Sequence, residues 1–578
     1  MSQSGSTLDR VSAVALESTV LLLAFALPFE IIHPLLTLGP WLAITNLEII
    51  LGLAILAWLL RAAATRRLDL RTPLTPLSLV FLVVAAVAAL LAPSLRPDAL
   101  KFTLRLAAGS LAFFLVLAVV TTRERFVRVI AALLGGALVS AAFGLFEAFG
   151  GASAPIFALF KAGPTRIGGE IRVSASFQYA TIASMYFEMV VPLILGAAIA
   201  VRRRAAKVAL LLATAALIQV VISTLTRSGM GALAATFLGM LSLAWSRPVF
   251  RQALLPVGVA AITLVALVGA LAARNSTFIT RLRTEDEARW YGASYDVPGR
   301  LTLTAGEVVT VPVRVENTGV APWQATGDNP FVLSYHWLSA DGQQELDYTR
   351  IETGLPRDIA PGESVELGAR VDVIARPGQY LLAWGMLQRE ILWFKDRGVP
   401  EAYSRVEVAS TEGVPPEAPP EVPVLVAPRD ETVYVRPPVR RIELWRTAIQ
   451  MVRQRPLLGV GPDNYRHVFG EYAGQSEWDR NVHANNMYLE MFAGTGVLGG
   501  LAFVSLLLVA GLLALRGWWQ APADAFGLWS LALAGSLVAF LAHGLLDYFL
   551  EFTGLLLFFW MLLGLIVGFV RLTSAGGR

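Results

Sequence analysis

The chain has 578 residues, 55% of them hydrophobic and 16% charged, with mean hydropathy +0.60 and formal net charge +4. An average soluble domain is about a quarter charged, so the composition excludes a disordered chain and an ordinary cytosolic enzyme and points to a polytopic membrane protein. The absence of cysteine rules out a disulfide framework, a Cys-ligated zinc site and thiol catalysis. The small net charge carries no nucleic-acid footprint.

In chain order, about twelve apolar runs reach the length that crosses a bilayer. They fall at 14–35, 43–60, 75–92, 103–121, 127–149, 184–201, 207–225, 228–245, 252–273, 494–515, 525–548 and 552–570. The first has no small-residue cleavage site after it and more spans follow, so it reads as a helix and not as a signal peptide. Alternate short loops carry clusters of cations: Arg61, Arg66, Arg67 and Arg71; Arg123, Arg125 and Arg128; Arg202, Arg203, Arg204 and Lys207; Arg247 and Arg251. The positive-inside rule puts those loops, and both termini, in the cytoplasm. The loop 150–183 and the long stretch 274–493 are then extracytoplasmic.

The predicted fold is a polytopic α-helical membrane protein of about twelve transmembrane helices, with an extracytoplasmic all-β sandwich inserted between helices nine and ten. The expected division is a membrane part over 1–273, a linker over 274–297, the β-sandwich over 298–410 and a proline-rich linker over 411–437. A helical loop follows over 438–493, and the last three helices occupy 494–578. Alternating patterns predict strands at Val308–Val315, Phe331–Leu338, Val365–Val373 and Tyr380–Met386, separated by turn signals at Asp341-Gly342 and Pro361-Gly362. This reads as a small antiparallel sandwich and resembles the immunoglobulin-like modules of bacterial surface proteins. Its tryptophans Trp323, Trp337 and Trp384 are either its core or a platform for glycan. After the proline-rich stretch, "RRIELWRTAIQMVRQ" reads as an amphipathic helix ending before Pro456.

In a bilayer protein the informative residues are the polar ones at or near membrane depth. Arg166 and Arg172 lie on the outer side just before span six, against the charge rule. They are an anion site or surface arginines facing headgroups. Arg227 lies in the short joint between spans seven and eight, among Ser223, Thr224, Thr226 and Ser228, with Gly229 and Gly231 permitting close approach. Its planar fork suits phosphate; the alternative is a snorkelling interfacial arginine. His483 stands beside the amides Asn481, Asn485 and Asn486 at a membrane boundary. It is a general base or a helix-capping, solvent-facing residue. His543 and Asp547 are four apart on one helix face and read as an intrahelix pair that supports packing. Glu30 and Glu48 are further acids placed to orient an arginine.

Together these pieces resemble the O-antigen ligase/polymerase superfamily, polytopic membrane glycosyltransferases of GT-C-like fold that use lipid-linked sugars. The resemblance rests on "RVSASFQYATIASMY", on "LTRSGMGALAA", and on "RIELWRTAIQMVRQRPLLGVGPDNY" followed by "HANNMYLEMFAGTGVLGG". It closes on the Gly-x-x-Gly of Gly496 and Gly499. One position departs: counting back from Gly496, Asn485 stands where the family signature has its histidine, with Asn486 next, and His483 lies two residues upstream.

The resemblance implies transfer of a glycan from undecaprenyl diphosphate to an acceptor hydroxyl, with inversion, without metal or other cofactor, on the outer face of the bacterial cytoplasmic membrane. It implies His483 as base and Arg172 and Arg227 on the diphosphate. Arg166, Arg441, Asn485, Asn486 and Tyr488 are supporting residues. The implied partners are the lipid-linked donor, a glycan, lipid or protein acceptor, and the bilayer, with no nucleic acid. Polymerase and ligase differ only in the acceptor. A polytopic transporter and a non-catalytic glycan-binding scaffold are the rival classes; the clustering of polar residues on one face speaks against the transporter.

Overall fold

The computed structural model describes residues 7–38, 42–167, 170–284, 290–327, 329–346, 350–389, 391–410, 439–475 and 478–575. The proline-rich stretch 411–437 therefore lies outside the described residues. The chain divides into two compact units, one of residues 1–165, 171–270 and 441–578, the other of residues 166–170 and 271–440.

The first unit is a helical bundle. Its helices are α1 (Thr7–Ala26), α2 (Asn46–Thr65), α3 (Thr75–Leu90), α4 (Arg96–Val119), α5 (Arg123–Phe146), α6 (Ala180–Ala200), α7 (Arg204–Ser223), α8 (Arg227–Ser246) and most of α9 (Leu254–Arg274). Among the described residues, nine helices are long and apolar enough to cross a membrane, and Thr75–Leu90 and Leu528–Gly544 are shorter apolar helices. A short hairpin, β1 (Leu36–Leu38) with β2 (Leu42–Ile44), interrupts the helices; between α5 and α6 in the chain come β3 (Thr165–Ile167) and β4 (Glu170–Arg172), of which residues 166–170 count with the second unit. The cation-rich helix ends are tied to one another. Arg61 pairs with Asp9, Arg123 with Asp524, and Arg571 with Asp69, while Arg247 donates to the carbonyls of Trp518 and Ala521.

The second unit starts with the end of α9 and α10 (Ser276–Arg283), then β5 (Ala293–Asp296). The expected linker over 274–297 thus holds a helix and a strand. Asn275 caps α10 by accepting from the Phe278 N–H at 2.7 Å, and β5 pairs with β7, which gives both elements partners the sequence alone did not reveal. The remaining strands are β6 (Arg300–Thr304), β7 (Val308–Asn317), β8 (Phe331–Ser339), β9 (Glu345–Leu346), β10 (Thr353–Gly354), β11 (Ser364–Asp372), β12 (Gly378–Gln388), β13 (Leu392–Trp393) and β14 (Ala402–Ala409).

One sheet runs β10-β8-β12-β14-β6, with β9 on β8 and β13 on β12; the other runs β11-β7-β5. The two face each other: the Tyr335 hydroxyl accepts from the Asp372 N–H at 2.8 Å and the Trp337 indole donates to the Asp372 carbonyl at 3.1 Å. The sandwich is not wholly antiparallel, because β6 lies parallel to β14; β6 crosses to the other sheet and does not fold back as a hairpin. Trp323, Trp337 and Trp384 are fully buried, so they are core and not a platform.

The last helices return to the bundle: α11 (Arg441–Gln454), α12 (Tyr465–Ala473), α13 (Met487–Gln520), α14 (Leu528–Gly544) and α15 (Thr553–Ala575). α13 starts seven residues before the predicted span and is broken at Gly496, whose φ is +66°. The break frees backbone groups, and the turn after α11 takes them up. Val460 and Gly461 donate to the carbonyls of Ala493 and Gly494 at 2.9 and 3.0 Å, and Val497 donates to the Pro456 carbonyl at 2.7 Å. Glycine is required on both sides of this joint. Gly459 has φ +66°, and a methyl on it would overlap the Ala493 carbonyl; one on Gly496 would overlap the backbone of Leu457.

Candidate active site

A cavity of about 820 Å³ opens where α1 ends, α6 and α15 begin and α14 ends. That lies within the roughly 300–1,000 Å³ range of small-ligand sites. Its apolar wall includes Leu27, Ile31, Phe160, Phe177, Ile182 and Leu555. Its polar wall carries three arginines, Arg105, Arg441 and Arg466, four carboxylates, Glu30, Asp479, Asp547 and Glu551, and His483 with Asn481 and Asn485. The Nε atoms of all three arginines are buried and make no hydrogen bond, so part of each guanidinium is unsatisfied.

His483 sits in the non-helical segment before α13, where a two-residue offset from Asn485 is no obstacle to reaching the cavity. Asn485 itself has φ +46° and lines the cavity. The imidazole of His483 lies between two carboxylates: Nδ1 is 3.1 Å from Glu490 Oε1 and Nε2 is 3.0 Å from Glu551 Oε2. Glu490 also accepts the Ala484 N–H at 2.8 Å. Burial disfavours the charged ring, but Glu490 and Glu551 more than reverse this and hold the His483 pKa well above the usual imidazole range. Burial likewise would raise the Glu551 carboxyl, yet His483, Arg466 and Arg105 bring it below its ordinary value. Asp463, buried behind this wall, is pushed up to about 6 by desolvation.

By distance, Asp463, His483 and Glu551 are grouped closely enough to share a cation, with ligand atoms within 4.8 Å of one another. The chemistry of the group argues against one. Arg466 already lies 2.7 Å from Asp463 and 3.7 Å from Glu551, and both ring nitrogens of His483 face carboxylates. Guanidinium and imidazolium supply the positive charge that a metal would bring.

The other sequence-predicted residues have different surroundings. Asn486 caps α13, accepting from the Leu489 N–H at 3.0 Å and donating to the Leu545 carbonyl at 2.9 Å. The Tyr488 hydroxyl donates to the Leu541 carbonyl at 3.0 Å. Neither lines the cavity; both fasten α13 to the end of α14. Arg172 donates to the Thr224 carbonyl at 3.0 Å and to the Thr226 hydroxyl at 3.2 Å, bracing the joint between α7 and α8. Arg227 begins α8 half-buried, and Arg166 lies in β3. None of these three arginines is among the residues lining the cavity. Glu30 lines it, whereas Glu48 accepts the Thr45 N–H at 2.9 Å and caps α2.

The stretch before α6 does reach the cavity, through Ser176, Gln178 and Tyr179, and α6 adds Thr181. It is held by a buried group that the sequence did not disclose. Lys161 pairs with Glu147 and donates to Ser174 at 2.8 Å, while Glu147 accepts the N–H groups of Ser174 and Ala175. Arg105, Arg466, Tyr548 and Glu551 are also site residues that the sequence did not single out. Arg105 carried a readable signal, a lone cation inside an apolar run.

With the geometry in hand, comparison with known proteins adds one finding. Residues 439–504 match the family model described as O-antigen ligase. The matched segment spans α11, the glycine turn, α12, His483 and the first half of α13, and so supplies Arg441, Arg466, His483 and Asn485 to the cavity. The chain is a multi-pass membrane protein whose residues 439–504 are similar to the O-antigen ligase family, with a β domain inserted between its helices. No curated protein matches the chain.

Proposed function

We propose that the protein is a glycosyltransferase that moves a glycan from undecaprenyl diphosphate to an acceptor hydroxyl on the outer face of the bacterial cytoplasmic membrane, with inversion at the anomeric carbon. The observation that carries this reading is the cavity itself, in which three half-satisfied arginines meet an apolar wall and a wall of carboxylates, with the family-matched segment forming one side. The departing diphosphate develops negative charge, and Arg105, Arg441 and Arg466 are the cations that face it. Arg172 and Arg227 act from the neighbouring joint. The apolar wall takes the first isoprenes of the lipid. His483 keeps its proton, which makes it a brace for Glu551 and part of the positive wall; the base role expected from the sequence does not suit a ring with both nitrogens on carboxylates. Both termini are cytoplasmic in this reading.

The test is glycan transfer in proteoliposomes, with an undecaprenyl-diphosphate-linked oligosaccharide as donor and, in separate arms, the same glycan, a lipid-A-type glycolipid or a protein as acceptor. Wild type should release undecaprenyl diphosphate. Alanine at Arg105, Arg441 or Arg466 should cost about two to three decades in turnover. Transfer to the donor's own glycan would make the protein a polymerase; transfer to the glycolipid or protein would make it a ligase. A wild type inert in every arm sinks the proposal, and arginine variants with unchanged turnover sink the diphosphate assignment.

A further inference from the structure

One carboxylate of the cavity wall is backed by a buried polar chain that runs into the apolar bundle. α14 ends at Gly544, and the turn beyond it, in which Leu546 and Asp547 both donate to the His543 carbonyl, sets Asp547 on the cavity wall. Asp547 Oδ2 lies 3.9 Å from His543 Nε2, and its Oδ1 accepts the Tyr548 N–H at 2.9 Å. His543 is fully buried. Its Nδ1 lies 2.8 Å from Glu188 Oε2 on α6, and its Nε2 lies 3.3 Å from the Ser228 hydroxyl on α8. Glu188 is also fully buried, and Ser184 donates to its other oxygen at 2.5 Å.

The fold makes room for this chain. A methyl on Gly229 would overlap both Ser184 Oγ and Glu188 Oε1, so the glycine after Ser228 is what lets α8 close on the pair. An acid and an imidazole inside an apolar bundle are costly to bury, and packing alone does not call for them. The other wall carboxylates have different engagements. Glu551 is held by His483 and Arg466, and Asp479 accepts the Asn481 N–H. Glu551 is likewise backed by a buried acid, Glu490, through His483, but it also faces the Arg466 guanidinium at 3.7 Å, whereas among the described residues Asp547 has no arginine within ion-pair distance.

Resting on the transferase reading above, we propose that Asp547 accepts the proton of the acceptor hydroxyl, and that the Glu188–His543 pair is a positioning device that fixes its carboxylate. The acceptor oxygen bonds to the anomeric carbon as the bond from that carbon to the diphosphate oxygen breaks. The electron pair leaves with the diphosphate, and the hydroxyl proton passes to Asp547, from which solvent in the cavity removes it. Asp547 is then a catalytic residue, while His543, Glu188 and Ser228 act through it.

The experiment is steady-state kinetics of the full chain in proteoliposomes, with an undecaprenyl-diphosphate-linked oligosaccharide and the acceptor arm that wild type uses. Asp547→Asn keeps the shape of the side chain; it should lower kcat by about a hundredfold or more, in the range of a lost general base, with donor KM changed less than about threefold. Added formate should restore part of the turnover of Asp547→Ala, which a purely structural role would not permit. Glu188→Gln should lower kcat by about tenfold at unchanged KM, and Glu188→Asp should recover part of it. Turnover of Asp547→Asn within threefold of wild type, or a loss that formate does not relieve, overturns the assignment while leaving the transferase reading intact. A wild type that turns over no donor overturns both.

Discussion

His483 illustrates how a residue's neighbours decide its chemistry. A histidine beside amides at a membrane boundary suggests a base, but Glu490 and Glu551 turn it into a held imidazolium. The sign of the resulting pH dependence follows. A histidine whose folded pKa is raised stabilises the fold fully below its unfolded value of about 6.5, and that stabilisation is lost as pH rises through the folded pKa. The His483 contribution to the melting temperature of the purified protein in detergent should therefore be level below about pH 6.5 and fall on the alkaline side. In His483→Gln that alkaline fall should shrink; an unchanged profile would show that the imidazolium contributes nothing to the fold. At this scale the sequence exposed His483, Arg441 and Asn485 as cavity residues, because each stands near a recognisable motif. It hid Glu490 and Glu551 because a carboxylate four residues into a helix, or in a short joint, looks like any solvated acid.

Among the elements, α13 is the informative one. A run of apolar residues with glycines reads as one uninterrupted span, yet Gly496 breaks it and the Gly459–Gly461 turn docks into the break. Two motifs that are far apart in the pattern of the chain are thus one hydrogen-bonded joint. Gly459→Ala should lower the melting temperature, because a left-handed φ costs a non-glycine residue about 1 kcal/mol even before the overlap with the Ala493 carbonyl. Turnover should fall with it, since the joint orients the segment that ends in His483. An alanine variant as stable and active as wild type would mean that the joint is dispensable. Element positions in the bundle were largely legible from hydropathy alone: each of the twelve predicted runs overlaps a helix, with most ends shifted by several residues and the end of the first by nine. Boundaries moved where caps rule, as at Asn486, whose side chain starts α13 earlier than apolarity does.

For the molecule as a whole, the two units have separate cores. The β domain is built on Trp323, Trp337 and Trp384, the helical unit on aromatics such as Phe113, Phe126, Tyr186 and Trp560. Trp384→Ala should destabilise the β domain by roughly 3–5 kcal/mol, the usual cost of emptying a core aromatic site. Hydrogen exchange should report the loss in residues 293–409 and leave protection in the bundle unchanged. Spread of the loss into α4, α6 or α15 would show that the two cores are not independent.

Hydropathy, charge and alternation by themselves determined the helical membrane class, the approximate spans and the inserted β domain, while the segment that matches the O-antigen ligase family was marked by its motif resemblance. These are properties of local pattern: a run of apolar residues must leave water wherever it lies in the fold, and alternating residues must form a two-faced strand. Only the tertiary structure decided which polar groups share a cavity. Arg105, Arg466 and the pair Asp547 and Glu551 come from three separate segments, and Glu188 lies 355 positions from His543. Their distances are set by helix packing, to which residues like Gly229 and Gly496 contribute only by lacking a side chain. A pKa depends on those distances, and so the role of each charge appeared only once the bundle was assembled.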